Sequence, residues 1–267
     1  MKFWKYQGAG NDFIMLDQRS EQKLTRSNQA EIEKLCDRRF GIGADGLILL
    51  ENKAGFDFEM IYFNADGRES SMCGNGGRCI AAFAQHLGIV SDTCHFLAID
   101  GPHEASIRAK SSDACWVSLK MTDVDQVEQV DGTFVLNTGS PHYVRFVDQL
   151  ETRNMVLEGK AVRYAERWKK DGINVNLCEI NSTKGGIDIR TYERGVEDET
   201  LACGTGVTAA AIATFIQKKE SFGEFEIPVY ARGGDLSVRF TALPEGKFHD
   251  IWLNGPAVRV FEGTIHI

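Results

Sequence analysis

The sequence has no apolar run long enough to span a membrane. Its first residues, "MKFWKYQGAGNDF", lack the apolar stretch of a signal peptide. A cytoplasmic location is therefore expected, and there thiols stay reduced. Positive charge is in deficit, with 30 Lys and Arg against 38 Asp and Glu and a net charge of −8 at pH 7. No Lys/Arg block stands out. Nucleic acid is thus not the expected partner, because its binders present a basic face. Proline is scarce, at 5 residues, and no Pro/Ser-rich linker or low-complexity tract interrupts the chain. A disulfide framework is also missing from the pattern. The 7 cysteines are an odd number and come without a secretion signal.

What is present is ordinary in bulk and unusual in arrangement. A chain of 267 residues, 43% hydrophobic and 25% charged, suits one large soluble domain or two smaller ones. Two hexamers are near copies: "MCGNGG" at 72–77 and "ACGTGV" at 202–207. The copying extends outward. "ESSMCGNGGRCIAAFA" begins at Glu69 and "ETLACGTGVTAAAIAT" at Glu199, so Cys73 and Cys203 stand 130 residues apart. Each follows an alternating, strand-like run, "FDFEMIYFNADG" or "GGIDIRTYERG". Further upstream, "GAGNDFIMLD" lines up with "NTGSPHYVRFVD" at nearly the same offset. A period near 130 is too long for a solenoid and indicates a duplicated domain. The boundary is expected within 117–132, giving lobes of 1–119 and 120–255.

The segments after both turns, "GRCIAAFAQHLG" and "VTAAAIATFIQ", lack a clean polar face over their first turns. A helix that is apolar on all sides is usually buried. Short strands rich in Val, Ile, Phe and Tyr surround each one. The expected fold class is α+β: two pseudo-symmetric lobes, each a strand-rich, barrel-like shell around a central helix. A further helix is expected in "SNQAEIEKLCDRRFG", with Asn28 and Glu31 as a capping box and Gly41 as its C-terminal cap.

Each cysteine of the repeat sits just before a helix. Asn75 and Thr205, equivalent positions, are good N-cap residue types. A helix start offers unpaired N–H groups and the positive end of a dipole. Glycines let an anion approach that backbone, and the same field favours thiolate over thiol. Other readings fit less well. Neither turn matches a P-loop or a dinucleotide fingerprint. The spacing of Cys73 and Cys79, and the isolated Cys94–His95 pair, do not match zinc patterns, so no metal is expected. Cys36, Cys79, Cys94, Cys115 and Cys178 read as small buried hydrophobes. That account does not extend to two cysteines in matched turns. Stereoinversion at a carbon bearing an acidic proton does need two equivalent acid–base groups. One removes the proton from one face and the other delivers a proton to the opposite face.

At this point the chain resembles the diaminopimelate epimerases, amino-acid epimerases that work without pyridoxal phosphate. The resemblance rests on "GAGNDF", "FGIGADG", "FNADG", "MCGNGGRC", "GSPH", "NVNL", "YERGVEDETLACGTG" and "NGPAVRVFEG", which cover nearly the whole chain. It implies conversion of LL-2,6-diaminoheptanedioate to the meso form, a step towards lysine and peptidoglycan precursors. It implies Cys73 and Cys203 as the acid–base thiols, with His142 and Glu193 tuning them or binding the substrate amine. Gly74, Asn75, Gly204 and Thr205 would hold the reacting carboxylate. Asn11, Asn64, Asn174 and Arg194 would hold the remaining amino and carboxylate groups. It also implies two similar lobes with the active site between them, a last strand (about 256–267) returning to the first lobe, no cofactor, a small-molecule substrate and a possible homodimer. Two positions depart from the family pattern. Ser140 stands where Asn is common before Pro-His, and Gly46 where Gln is common. Both are expected to weaken side-chain contact in the pocket. A racemase of another amino acid on the same fold, and a non-catalytic binder using two helix starts as an anion clamp, stay open.

Overall fold

The fold is given by a computed structural model that describes residues 1–219 and 221–266. The chain divides into two compact units: Met1–Leu119 with the stretch from Gly255 onward, and Lys120–Asn254.

The first unit contains strands β1 (Lys2–Gly8) and β2 (Asn11–Asp17), helix α1 (Gln29–Cys36), strands β3 (Gly46–Glu51) and β4 (Phe58–Asn64), helix α2 (Gly74–His86), and strands β5 (Thr93–Ala98), β6 (Gly101–Ala109) and β7 (Ala114–Lys120). They pair in chain order. The second unit contains β8 (Val127–Val130), β9 (Thr133–Asn137), β10 (Pro141–Phe146), α3 (Met155–Arg163), β11 (Asn174–Ile180), β12 (Ile187–Glu193), β13 (Asp198–Thr200), α4 (Gly204–Lys218), β14 (Gly223–Ala231) and β15 (Gly234–Leu243). The last strand, β16 (Lys247–Thr264), serves both units. Its first half pairs with β15, and its second half pairs with β7 and β1. The β1–β16 ladder therefore closes the first unit into a barrel. In the second unit a single bridge, Val124–Phe248, spans the corresponding place among the described residues.

The apolar runs explain the layers. In "FIML", "LILL" and "MIYF" both faces of the sheet are buried, so the alternation disappears. Ile14, Leu16, Leu47, Leu49, Ile61 and Phe63 point outward, where they pack with Ile32 and Leu35 of α1. Phe13, Ile48 and Met60 point inward; a Cβ added at Gly76 of α2 would lie 3.1 Å from Ile48 and 3.4 Å from Met60. The second unit repeats this order. Val175, Leu177 and Tyr192 pack outward with Met155 of α3, and Asn174, Asn176 and Cys178 take the alternate positions. The central helices are buried from Gly74 through Ala84 in α2 and, Thr205 excepted, from Gly204 through Phe215 in α4. Each unit is thus a strand-rich shell around one helix, as the composition of those helices suggests.

Capping differs from expectation. Asn28 does precede α1, but its Oδ1 turns back to accept from Thr25 N (2.9 Å), and no side chain caps the helix. The C-cap is Asp37, with Gly41 beyond it. Asn75 and Thr205 are not N-caps either: the caps are Cys73 and Cys203, both in extended conformation. The helices begin two residues earlier than capping chemistry suggests, which places Asn75 and Thr205 inside the first turn with their side chains available to other partners.

Candidate active site

Both cysteine turns use the same backbone device. Cys73 O accepts from Gly77 N (2.7 Å), and Cys203 O accepts from Val207 N (2.8 Å). These are the first helical bonds, so the N–H groups of residues 74–76 and 204–206 fall outside each ladder. The helix dipole adds partial positive charge at both sulfurs.

In the first unit the turn is held by a chain of directed bonds. Asn11 Nδ2 donates to Asp45 Oδ2 (2.8 Å). Asp45 and Asp12 are both bound by Arg38, each at 2.7 Å, and Asp12 also pairs with Lys5 at 2.8 Å. The Arg38 and Lys5 cations hold the Asp12 carboxyl well below the usual carboxylate range, against the upward pull of its partial burial. Because Asn11 Nδ2 faces a carboxylate, Asn11 Oδ1 faces the turn. There it accepts from Asn75 Nδ2 (3.3 Å) and from the Cys73 sulfur (3.5 Å). Asn75 Oδ1 accepts from Arg78 Nη2 (2.9 Å). Arg78 is wholly buried, and it also donates to Gly74 O (3.3 Å) and Pro256 O (3.5 Å). Desolvation lowers the pKa of this guanidinium, opposed by Cys79 and Cys73. Asn64 stands apart from this chain of bonds. It is exposed at the end of β4, opposite Gly46, and its backbone closes a turn with Arg68.

In the second unit the network is neutral and denser. Cys203 Sγ lies 3.4 Å from Thr205 Oγ1. Thr205 Oγ1 lies 2.8 Å from His142 Nε2 and 3.1 Å from Ser140 Oγ. Ser140 Oγ lies 2.9 Å from His142 Nε2 and accepts from Asn174 Nδ2 (3.1 Å). The backbone N–H of Arg194 donates to Asn174 Oδ1 (2.8 Å). The exposed Arg194 side chain donates to Asp171 O (2.8 Å). His142 is fully buried, and burial, with Arg194 adding to it, pushes its pKa down to about 3. Glu193, half-buried, ends β12 and pairs with Asp198 of β13.

The two departures from the family pattern prove well integrated. Ser140 contacts His142, Thr205 and Asn174, so its short side chain joins the network more than expected. At Gly46 a Cβ would lie 2.5 Å from Phe63 O and 2.6 Å from the Tyr62 ring, so Tyr62 fills the space a longer residue would need. Two further participants lie outside the expected site residues. Arg78 is the single charge in an otherwise apolar helix segment, which is a usable signal. Asn176 follows Asn174 by two residues and so shares its face of β11.

The remaining cysteines differ from the turn pair. Burial raises the thiols of Cys36, Cys79 and Cys94 to about 12 and those of Cys115 and Cys178 upward as well. They stay protonated at neutral pH. Among the described residues no three His, Cys, Asp or Glu side chains group as a metal site, and no helix is long and apolar enough to cross a membrane. A cavity of about 100 Å³ lined by Tyr6, His86, Asp113 and Cys115 lies at the far end of α2 from Cys73, roughly 18 Å along the helix.

Comparison with known proteins gives one consistent result. The family model described as diaminopimelate epimerase matches residues 3–127 and 134–257. The chain is 50% identical over 265 residues to the diaminopimelate epimerase of Flavobacterium psychrophilum, covering 99% of this chain and 100% of that one. It is 42% identical to that of Chlorobaculum tepidum, covering 97% and 98%. Among solved structures, a PhzF-family phenazine biosynthesis protein from Bacillus anthracis superposes over 100% of this chain and 99% of its own with a TM-score of 0.76 at 16% identity. A hydroxyproline epimerase from Agrobacterium vitis superposes over 98% and 91% with a TM-score of 0.68 at 13% identity. At such identities these two comparisons speak to the fold alone.

Proposed function

Because the chain belongs to the diaminopimelate epimerase family, we propose that it inverts one stereocentre of diaminopimelate, from the LL to the meso form, with Cys73 and Cys203 as the two proton carriers. The enzyme is an isomerase. The observation that carries the site reading is the pair of matched helix starts, each capped by a cysteine. One sulfur takes the α-proton and the other returns a proton to the opposite face. Negative charge spreads from the α-carbon into its carboxylate as the bond breaks. The N–H groups of Gly74, Asn75, Gly204 and Thr205 are the donors assigned to that carboxylate, with the helix dipoles reinforcing them. In this reading the carbanion needs no cofactor.

His142 and Glu193 serve as modulators rather than proton carriers. A ring whose pKa lies near 3 is neutral at pH 7 and holds its proton in place. Asn11, Asn64, Asn174 and Arg194 are assigned to the substrate's other polar groups. Arg194 is exposed and offers a planar donor fork suited to a carboxylate. The acidic balance supports a small-molecule substrate over nucleic acid. A cytoplasmic location and a homodimer are carried over with the family.

The test is exchange in D2O followed by proton NMR, with LL-diaminopimelate and, separately, proline. Deuterium should enter the α-position of the first and not the second. Cys73→Ala and Cys203→Ala should each lower epimerisation by orders of magnitude with unchanged circular dichroism. Near-normal turnover in either variant would sink the two-thiol mechanism. Exchange with proline alone would favour a racemase of another amino acid.

A further inference from the structure

We propose that Asn176 is a positioning residue for the Cys203 sulfur: it fixes which nitrogen of His142 carries the proton, and so aims the Thr205 hydroxyl hydrogen at Cys203. The inference rests on the reading of Cys203 as a proton carrier.

Donor and acceptor rules fix the amide and the imidazole, and the two hydroxyls complete the chain. Asn176 is fully buried. Its Nδ2 lies 3.0 Å from Tyr143 O, which can only accept, and its Oδ1 accepts from Thr191 Oγ1 at 2.9 Å. A flipped amide would set oxygen against oxygen at Tyr143, so the orientation is fixed. The second Nδ2 hydrogen then faces His142 Nδ1 at 3.1 Å, and that nitrogen must accept. The ring is neutral and has one proton, which therefore sits on Nε2. Nε2 lies 2.8 Å from Thr205 Oγ1 and 2.9 Å from Ser140 Oγ; Asn174 Nδ2, 3.5 Å from it, directs its hydrogens to Ser140 Oγ and Pro141 O.

Ser140 Oγ already accepts from Asn174 Nδ2, whose amide is oriented by the Arg194 backbone N–H. In the proposed arrangement the Ser140 hydrogen is directed to Thr205 Oγ1, 3.1 Å away. Thr205 Oγ1 receives hydrogens from these neighbours, and its own points at Cys203 Sγ, 3.4 Å away. Every donor in the chain runs towards the sulfur. That direction favours the thiolate, because a hydroxyl donates more strongly to a charged acceptor.

The fold itself does not demand these polar groups. Strand register pairs His142 with Asn174 in the second unit as it pairs Phe13 with Gly46 in the first. Two residues further along β3, Ile48 occupies the place that Asn176 holds in β11. Gly76 abuts Ile48 and Phe13, and Gly206 abuts Asn176 and His142. One copy fills this layer with hydrocarbon. The other buries a hydrogen-bonded pair that reaches Thr205 and Ser140, beside the sulfur.

The experiment uses the full chain labelled with 15N. Long-range proton–nitrogen correlation of the histidine rings, assigned with His142→Gln, should show the Nε2-protonated tautomer for His142 from pH 5 to 8. Iodoacetamide labelling against pH, read on the Cys203 peptide by mass spectrometry, gives the thiol pKa. Asn176→Asp should convert Nδ1 into a donor and raise the Cys203 pKa by about one unit, a tenfold loss of thiolate at a given lower pH. Thr205→Val should raise it similarly, and Thr205→Ser should not. In a Thr205→Val background the further effect of Asn176→Asp should nearly vanish. An Nδ1-protonated wild-type ring would overturn the proposal. So would an undiminished Asn176→Asp effect without the hydroxyl, which would mean that charge alone acts. If Asn176→Asp fails to fold, the wild-type tautomer and the Thr205 pair still decide. Failure of the two-thiol reading is separate: it would appear as normal turnover in Cys203→Ala while the tautomer and labelling results stand.

Discussion

The turns at Cys73 and Cys203 share a backbone and differ in what lies beneath it. Under the first lie Phe13, Ile48 and Met60, with the buried cation Arg78 one turn along the helix. Under the second lie His142 and Asn176, and Thr208 stands where Arg78 stands in the repeat. The sulfurs therefore face opposite chemistry. Cys73 faces Asn11 Oδ1, an acceptor, and Cys203 faces a hydroxyl that can donate. Duplication supplies two equal helix starts, and side chains make them unequal. In the proposed mechanism a turnover begins with one sulfur protonated and the other bare. An acceptor at one and a donor at the other suit that division, with Arg78 as a counterweight at Cys73.

The comparison breaks most severely at Arg78. Arg78→Met removes the donor to Gly74 O, Asn75 Oδ1 and Pro256 O, all at the base of the first turn. Each lost bond from this cation to a buried acceptor costs about 1–3 kcal/mol, offset by relief of the cation's own desolvation. A net loss of about 4 kcal/mol is expected in urea unfolding. Thr208→Val removes one hydroxyl that donates back to Gly204 O at 3.0 Å, and should cost under about 1 kcal/mol. Equal losses would mean that the cation has no special part in the first turn.

The next difference is in pH. His142 has its pKa near 3 in the folded protein, against about 6.5 in the unfolded chain. Between those values the unfolded state binds a proton that the folded state refuses. Stability is therefore fully present above about pH 6.5 and falls as the pH drops towards 3, by up to about 1.4 kcal/mol per pH unit. From pH 7 to pH 4 the loss should be about 3 kcal/mol, and His142→Gln should remove it. Phe13, the counterpart in the first unit, has nothing to titrate. His86 is also lowered, by partial burial and by Arg259, but it is exposed. His86→Gln should therefore change the acid limb much less. The Asp12 carboxyl acts with the same sign at lower pH, so the interval between pH 5 and 6.5 belongs to the histidines. An acid limb unchanged in His142→Gln would contradict the buried neutral ring.

Much of this was legible in the sequence because the repeat is visible in residue types. Cysteine, glycine and a following apolar helix recur at constant spacing, and both the helices and the strand-rich shells follow from that pattern. The roles of Ser140 and Gly46 were not legible, because each depends on neighbours distant in sequence: Thr205 and Asn174 for one, Tyr62 and Phe63 for the other. The caps depart from expectation for a local reason. Asn and Thr are good capping types, yet cysteine holds the extended position in both turns, and the capping types are spent on Asn11 and His142 instead. Asn176 is not legible in the sequence, because an asparagine in a strand carries no signal until its partners are known.

The smallest effect distinguishes the two helix starts by a single methyl group. In Gly206→Ala the new Cβ would lie 2.5 Å from Asn176 Oδ1 and 3.3 Å from His142 Cε1. That amide is held by Tyr143, Thr191 and His142 and cannot yield without breaking one of those bonds. In Gly76→Ala the nearest atom is the free end of Ile48, at 3.1 Å, with Met60 at 3.4 Å, and both can shift by a rotamer adjustment. Alanine also favours a helix over glycine by about 1 kcal/mol, which offsets part of either cost. Gly206→Ala should therefore lose about 2 kcal/mol net and Gly76→Ala should stay within about 1 kcal/mol of the parent. Urea midpoints measured in parallel give the difference. The same Gly206→Ala protein should show a disturbed His142 tautomer signal, because the amide that fixes it is the group displaced. A Gly76→Ala loss as large as that of Gly206→Ala would mean that both layers are equally rigid, and the contrast between a yielding hydrocarbon layer and a fixed polar one would not hold.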